Sequence, residues 1–153
     1  MIKQIFIYLL VMVTVAAKAQ QPQKPTPTLT PPQLQSFWGT TKGGSLPLEF
    51  VLNVVDSGFV WVIDDKKVKY NINRFIVIYR SKDRFEDEQT GEIKSRFNNN
   101  SLIVKNTGII EEKWRKMMYE NIKVGDELWI TDIIVRDKKG EYIKAPDVKI
   151  TIN

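Results

Sequence analysis

Residues 74–79 read Arg-Phe-Ile-Val-Ile-Tyr, and the fold turns on how they are read. After Arg74 every side chain is β-branched or aromatic, so an extended chain would be apolar on both faces. A strand of that kind belongs in the interior of a sheet. Working upstream, Val68, Tyr70 and Ile72 alternate with Lys69 and Asn71, which predicts a strand with one wet face. Residues 59–63 (FVWVI) form a further strand, closed by Asp64-Asp65-Lys66-Lys67. Residues 48–55 (LEFVLNVV), rich in β-branched and aromatic side chains, are read as another strand, ending at the turn signal Asp56-Ser57-Gly58.

Downstream, the charged residues 81–91 (SKDRFEDEQTG) predict a solvated connection. Residues 92–96 form a short edge strand, Asn98-Asn99-Asn100 a loop, and residues 102–104 an extended continuation. One segment changes period: Ile110, Trp114, Met117, Met118 and Ile122 recur at helical spacing. Asn106-Thr107 supply a capping signal and Glu111-Glu112 a negative first turn, so a helix over 110–122 is expected to seal one end of the core. Residues 127–135 (ELWITDIIV) are again a strand, with Leu128, Ile130 and Ile134 on one face and Trp129, Thr131, Ile133 and Val135 on the other. A turn at Asp137-Lys138-Lys139-Gly140, a return over 141–144 and clean alternation over 148–152 complete the chain. About seven short strands and one short helix predict a mainly β, antiparallel β-sandwich.

Three regions follow from the N-terminus. Lys3, the apolar run 5–17 and the Ala17-Lys18-Ala19 exit predict a signal peptide over 1–19. That run is 13 residues long, whereas a permanent span needs about 20. Residues 20–36 (QQPQKPTPTLTPPQLQS) carry five prolines and two leucines, which predicts an extended, flexible tether. The folded domain is then 37–153. Cleavage after Ala19 lowers the formal charge from +5 to +3, because Lys3 and Lys18 leave with the signal. Dispersed lysines on an exported chain do not point to a nucleic-acid partner.

With no His and no Cys, the chain can form no disulfide, thiolate nucleophile, imidazole base or zinc site of the usual kind. Catalysis would rest on carboxylates or lysine. The acidic clusters Asp64-Asp65, Asp83, Glu86-Asp87-Glu88 and Asp126-Glu127 all sit at predicted turns beside Lys or Arg, and solvated turn charge is the expected reading. No cofactor, metal or catalytic residue is assigned, and a non-enzymatic protein is expected. Four tryptophans raise the question of a binding face. Trp61 and Trp129 lie in strands apolar on both faces: either helix and loops cover the second face, the favoured reading, or it meets a partner. Trp61, Tyr79 and Trp129 are the candidate binding residues.

The last third of the chain resembles a known family. The helix, then Lys123-Val124-Gly125-Asp126, then Trp129-Ile130-Thr131-Asp132-Ile133, the Asp137-Lys138-Lys139-Gly140 turn and the closing Ile150-Thr151-Ile152-Asn153 are similar to the C-terminal domain of the GldM/PorM family. Gly43-Gly44 and the strand 75–79 extend the likeness to residues 37–153. The family belongs to the gliding-motility and type IX secretion machinery of Bacteroidetes. The resemblance implies an immunoglobulin-like β-sandwich that contacts protein partners in the periplasm or at the outer membrane, with no catalytic residues. The sequence carries neither the family's membrane helix with its buried acid nor the preceding periplasmic domains, so contact is implied rather than transmission of motor force. A homodimer is open on the same terms. The alternative function is a carbohydrate-binding or adhesive surface module, motivated by the aromatic strands and the tether.

Overall fold

The computed structural model describes residues 32–153. The predicted signal peptide and the tether up to residue 31 lie outside the described residues. In chain order the elements are β1 (Leu34–Trp38), β2 (Gly43–Leu46), α1 (Leu48–Ser57), β3 (Val60–Asp64), β4 (Lys69–Glu86), β5 (Ile93–Lys105), α2 (Glu112–Asn121), β6 (Glu127–Arg136), β7 (Tyr142–Lys144) and β8 (Val148–Ile152). The eight strands form one sheet in the order β1-β3-β4-β6-β8-β2, with β5 added to β4 and β7 to β6. The ends of that order, β1 and β2, are joined by residues 39–42, so the sheet curls nearly into a barrel. Pairing is antiparallel except between β2 and β8, which run parallel.

β4 holds the sheet together. Its start pairs with β3 at Val62↔Tyr70, its middle with β6 from Asn71↔Arg136 to Arg80↔Glu127, and its far half with β5. Phe75, Val77 and Tyr79 face inward, where Val60 and Val62 of β3, Leu128 and Ile130 of β6 and Val148, Ile150 and Ile152 of β8 complete one core. β1 contributes Trp38 to the same core and begins at Leu34, so Leu34, Gln35 and Ser36 are strand residues rather than tether.

Two helices are present among the described residues, and the first, α1, corrects the reading of residues 48–55 as a strand. Leu48, Val51, Leu52 and Val55 recur at helical spacing, although the segment is rich in residues with β propensity. In α1, Val51, Val54 and Val55 are buried while Glu49, Asn53 and Asp56 face solvent. Gly58, at φ +57, ends the helix by donating its N–H to the carbonyls of Val54 and Val55, so the supposed strand-ending turn is a left-handed helix cap. The helix expected over 110–122 is α2, with Met118 buried and Ile110 and Ile122 flanking it in the core. Its N-cap is Glu111, without a side-chain cap bond, and not Asn106-Thr107. Arg115 of α2 reaches over Gly58 and donates from Nη1 to the Asp56 carbonyl, placing a cation at the C-terminus of α1.

The connection expected over 81–91 is mostly strand. β4 runs on to Glu86, turns through residues 87–92, and returns as β5 in unbroken register from Glu86↔Ile93 to Arg74↔Lys105. The Asn98-Asn99-Asn100 segment, read as a loop, pairs with Ser81, Arg80 and Tyr79 inside this ribbon. Because β6 starts opposite Arg80, the ribbon beyond that point has two strands and both faces wet, which accounts for its charged sequence.

The inward and outward sides of β6 also differ from expectation. Leu128, Ile130, Ile133 and Val135 are buried, with Ile134 facing out. The register against β4 shifts between Ile72 and Ile76, and Asp132 adopts φ +50. A bulge residue there reverses the alternation halfway along the strand, which a strict period of two cannot anticipate.

Candidate functional site

Since Phe75, Val77 and Tyr79 point inward, Ile76, Ile78 and Arg80 point outward, and the register sets them beside Trp129 of β6 and Ser101 and Asn99 of β5. Trp129 lies in turn opposite Lys149 of β8. The outer face of four strands therefore carries one row of side chains. Arg80 holds its guanidinium 4.4 Å from the Phe97 ring centroid and 4.1 Å from that of Trp129. Lys149 Nζ approaches the Trp129 ring to 4.6 Å from the other neighbouring strand. Arg80 Nη1 is ion-paired with Glu127, and its Nε donates to Asn99 Oδ1 at 3.1 Å. Each ring–cation contact is worth about 0.5–1 kcal/mol at such exposure. The main effect is order: Arg80 is held between two rings, by an acid and by an amide. Around the row, Ile76, Ile78 and Trp129 are half-buried and Ile103 is exposed. None of these side chains packs against the core cluster. The second face of β6 is thus not covered by helix and loops, contrary to the favoured reading.

Trp61 lies on the outer face of β3, stacked on Phe37 of β1 with ring centroids 4.1 Å apart and planes 7° from parallel. Its Nε1 donates to the Gly39 carbonyl at 2.7 Å, and Lys69 Nζ stands 5.9 Å from its ring. Lys42 Nζ is 5.2 Å from the Phe37 centroid. The two aromatic groups, at Trp61 and at Trp129, are separate.

Tyr79 does not belong to a binding face. It is 3% exposed, and its hydroxyl donates to Asp126 Oδ2 at 2.8 Å with the Asn121 carbonyl 3.0 Å away. Burial, and then the hydrogen bond to and charge of Asp126, push the phenol well above its ordinary pKa, so it stays protonated as a donor. Asp126 is itself fully buried, accepting the Lys82 N–H at Oδ1 (2.8 Å) and the Lys123 N–H at Oδ2 (3.1 Å). The Lys123-Val124-Gly125-Asp126 signature is therefore a latch. One carboxylate ties the chain leaving α2 to the point where β4 leaves the body of the sheet.

Asp64, Asp83 and Asp87 are likewise engaged. Asp64 Oδ1 accepts the N–H groups of Lys66 (2.9 Å) and Val68 (2.8 Å). Asp83 bonds Asn98 and faces Lys123. Among the described residues, no three acids cluster in a way that could hold a metal ion. Asp87 organises the tip of the β4–β5 ribbon. The Lys94 ammonium, and then the amides of Gln89 and Thr90, hold its carboxyl below its ordinary value of 3.8. A depressed folded pKa means the turn is fully supported above the unfolded value and loses that support as pH falls through the lower folded one. The amide protons of Gln89 and Thr90 should accordingly titrate together with a midpoint below 3.8, and Asp87→Asn should abolish the transition. A midpoint at or above the ordinary value would contradict the turn geometry.

Of the row, Trp129 is legible in the sequence as a candidate, whereas Arg80, Phe97 and Lys149 are not. Phe97, Asn99, Ser101 and Ile103 do alternate, but the three asparagines inside that run masked the period. No family model matches the chain, and no curated protein matches it either.

Proposed function

We propose that the chain is a non-enzymatic, exported module that acts by protein–protein contact in the periplasm or at the outer membrane. The observation that carries this reading is the uncovered, ordered row of Phe97, Arg80, Trp129 and Lys149, set among Ile76, Ile78 and Ile103. Arg and Trp are the side chains that most often dominate protein interfaces, and side chains ordered before contact lose less entropy on binding. The resemblance to GldM C-terminal domains supplies the setting, the gliding and type IX secretion envelope machinery of Bacteroidetes. The immunoglobulin-like sandwich belongs to the same proposal; in its favour, side chains of β1, β3, β6 and β8 share one core. Homodimer formation is an outcome allowed by the β5 edge, which has no strand partner among the described residues.

Capture from a native envelope extract tests the reading. The wild-type chain should retain envelope protein, and Arg80→Ala or Trp129→Ala should reduce that retention at least about tenfold while the fold persists. Retention of no envelope protein above background would overturn it. The carbohydrate reading keeps one favourable observation, the half-exposed Phe37–Trp61 stack. At Trp129 it is disfavoured, because cations from both neighbouring strands occupy the ring where a sugar would stack. Glycan binding lost in Trp61→Ala with the fold intact would favour it.

A further inference from the structure

A cavity of about 290 Å³ opens where the β3–β4 turn meets the β6–β7 turn. Its wall carries four cations, Lys69, Arg136, Lys138 and Lys139, and two carboxylates, Asp64 and Asp137. Both carboxylates are already engaged by their own turns. Asp64 accepts the two amides described above and, at Oδ2, the Tyr70 hydroxyl at 3.3 Å. Asp137 Oδ1 accepts the N–H groups of Lys139 and Glu141, each at 2.8 Å. None of the four cations joins an ion pair among the described residues. Arg136 donates to the Gly140 carbonyl and the Tyr142 hydroxyl, both at 3.3 Å, contacts that orient its guanidinium without neutralising it. A concave wall with cations in excess focuses a positive potential on its interior.

We propose that this cavity binds a phosphomonoester dianion, free or carried on a lipid headgroup. The oriented arginine offers a planar fork that matches phosphate oxygens, and the lysines add mobile point charges around it. The excess of cations over carboxylates calls for a ligand of more than one negative charge, and the volume leaves room for a substituent beyond the phosphate itself. The site is independent of the outer-face row, because Arg136 lies seven residues from Trp129 along β6, about 20 Å away.

Inorganic phosphate is the first probe, added at low salt and about pH 8, where its second acidic proton is gone. Amide resonances should shift saturably over residues 64–71 and 136–139 and little elsewhere. Lys138→Ala with Lys139→Ala should weaken binding at least about tenfold, since hydrogen bonds to charged groups are lost. The Lys→Arg pair at the same positions should retain it, and Lys113→Ala with Lys116→Ala on α2 should leave it unchanged although the net charge falls equally. A second arm uses vesicles of equal parts phosphatidylcholine and phosphatidic acid. Co-sedimentation lost in the alanine pair assigns the headgroup as ligand, and phosphate binding without co-sedimentation assigns a soluble phosphomonoester. Absence of saturable shifts with phosphate, shifts that follow lysines over the whole surface, or binding that survives the alanine pair in either arm would overturn the proposal.

Discussion

Asp126→Ala is expected to lower the unfolding free energy by about 3 kcal/mol, read as a fall in denaturation midpoint with an unchanged urea dependence. The carboxylate is fully buried and accepts three donors: the Lys82 amide, the Lys123 amide and the Tyr79 hydroxyl. Alanine removes all three bonds at once and leaves the donors facing a hole. Each unsatisfied buried donor costs about 1–3 kcal/mol, and entry of water recovers part of the sum. Asp126→Asn should cost less but not be neutral, because one oxygen becomes an N–H group that cannot accept from a backbone amide. Tyr79→Phe, which removes a single donor, should cost about 1 kcal/mol. The order alanine, asparagine, then Tyr79→Phe is the diagnostic result. An Asp126→Ala protein within 1 kcal/mol of wild type would mean the latch carries no weight.

That latch also separates what was legible in the sequence from what was not. The Lys123-Val124-Gly125-Asp126 segment was legible as a pattern, whereas its cause is a contact between Asp126 and residues 79 and 82, more than forty positions upstream. Strand β8 and helix α2 were legible because a single period runs through each, and β3 and β6 because β-branched and aromatic residues crowd into them. Helix α1 was not. Leu48, Val51, Leu52 and Val55 satisfy a helical stripe, but the valines carry β propensity, and tertiary packing decides between the two. The bulge at Asp132 was invisible because it reverses the alternation without any Gly or Pro to mark it. The outer-face row was half legible. Trp129 stood out by type, while Arg80, Phe97 and Lys149 acquire meaning only through the register of four strands. The parity that turns Phe75, Val77 and Tyr79 inward excludes Tyr79 from the outer face.

Gly43→Ala is the second large effect, and it reaches the row from the opposite side of β8. Gly43 pairs with Lys149 in the parallel β2–β8 ladder at φ +108, a region glycine enters without strain and alanine does not. A Cβ built there would lie 2.4 Å from the Lys149 carbonyl oxygen and 3.0 Å from its nitrogen. Both are backbone atoms of a strand pinned on its other edge by β6, so β2 itself must move away. Two further bonds then weaken, from Asn153 N–H to the Leu46 carbonyl and from Leu48 N–H to the Asn153 carbonyl, and the second anchors the start of α1. The expected cost is about 2–4 kcal/mol, combining positive-φ strain with lost pairing. Gly44→Ala provides the comparison. Gly44 has nearly the same backbone angle, φ +106, but nothing stands within 4 Å of its added Cβ. It should carry the strain alone, about 1–2 kcal/mol. The difference between the two variants therefore measures the close approach of β2 to β8. Only Gly43→Ala should also move the Trp129 indole resonance, because Lys149 holds that ring from the β8 side. Equal losses in the two variants, with Trp129 unmoved in both, would show that β2 does not brace the strand on which Lys149 stands.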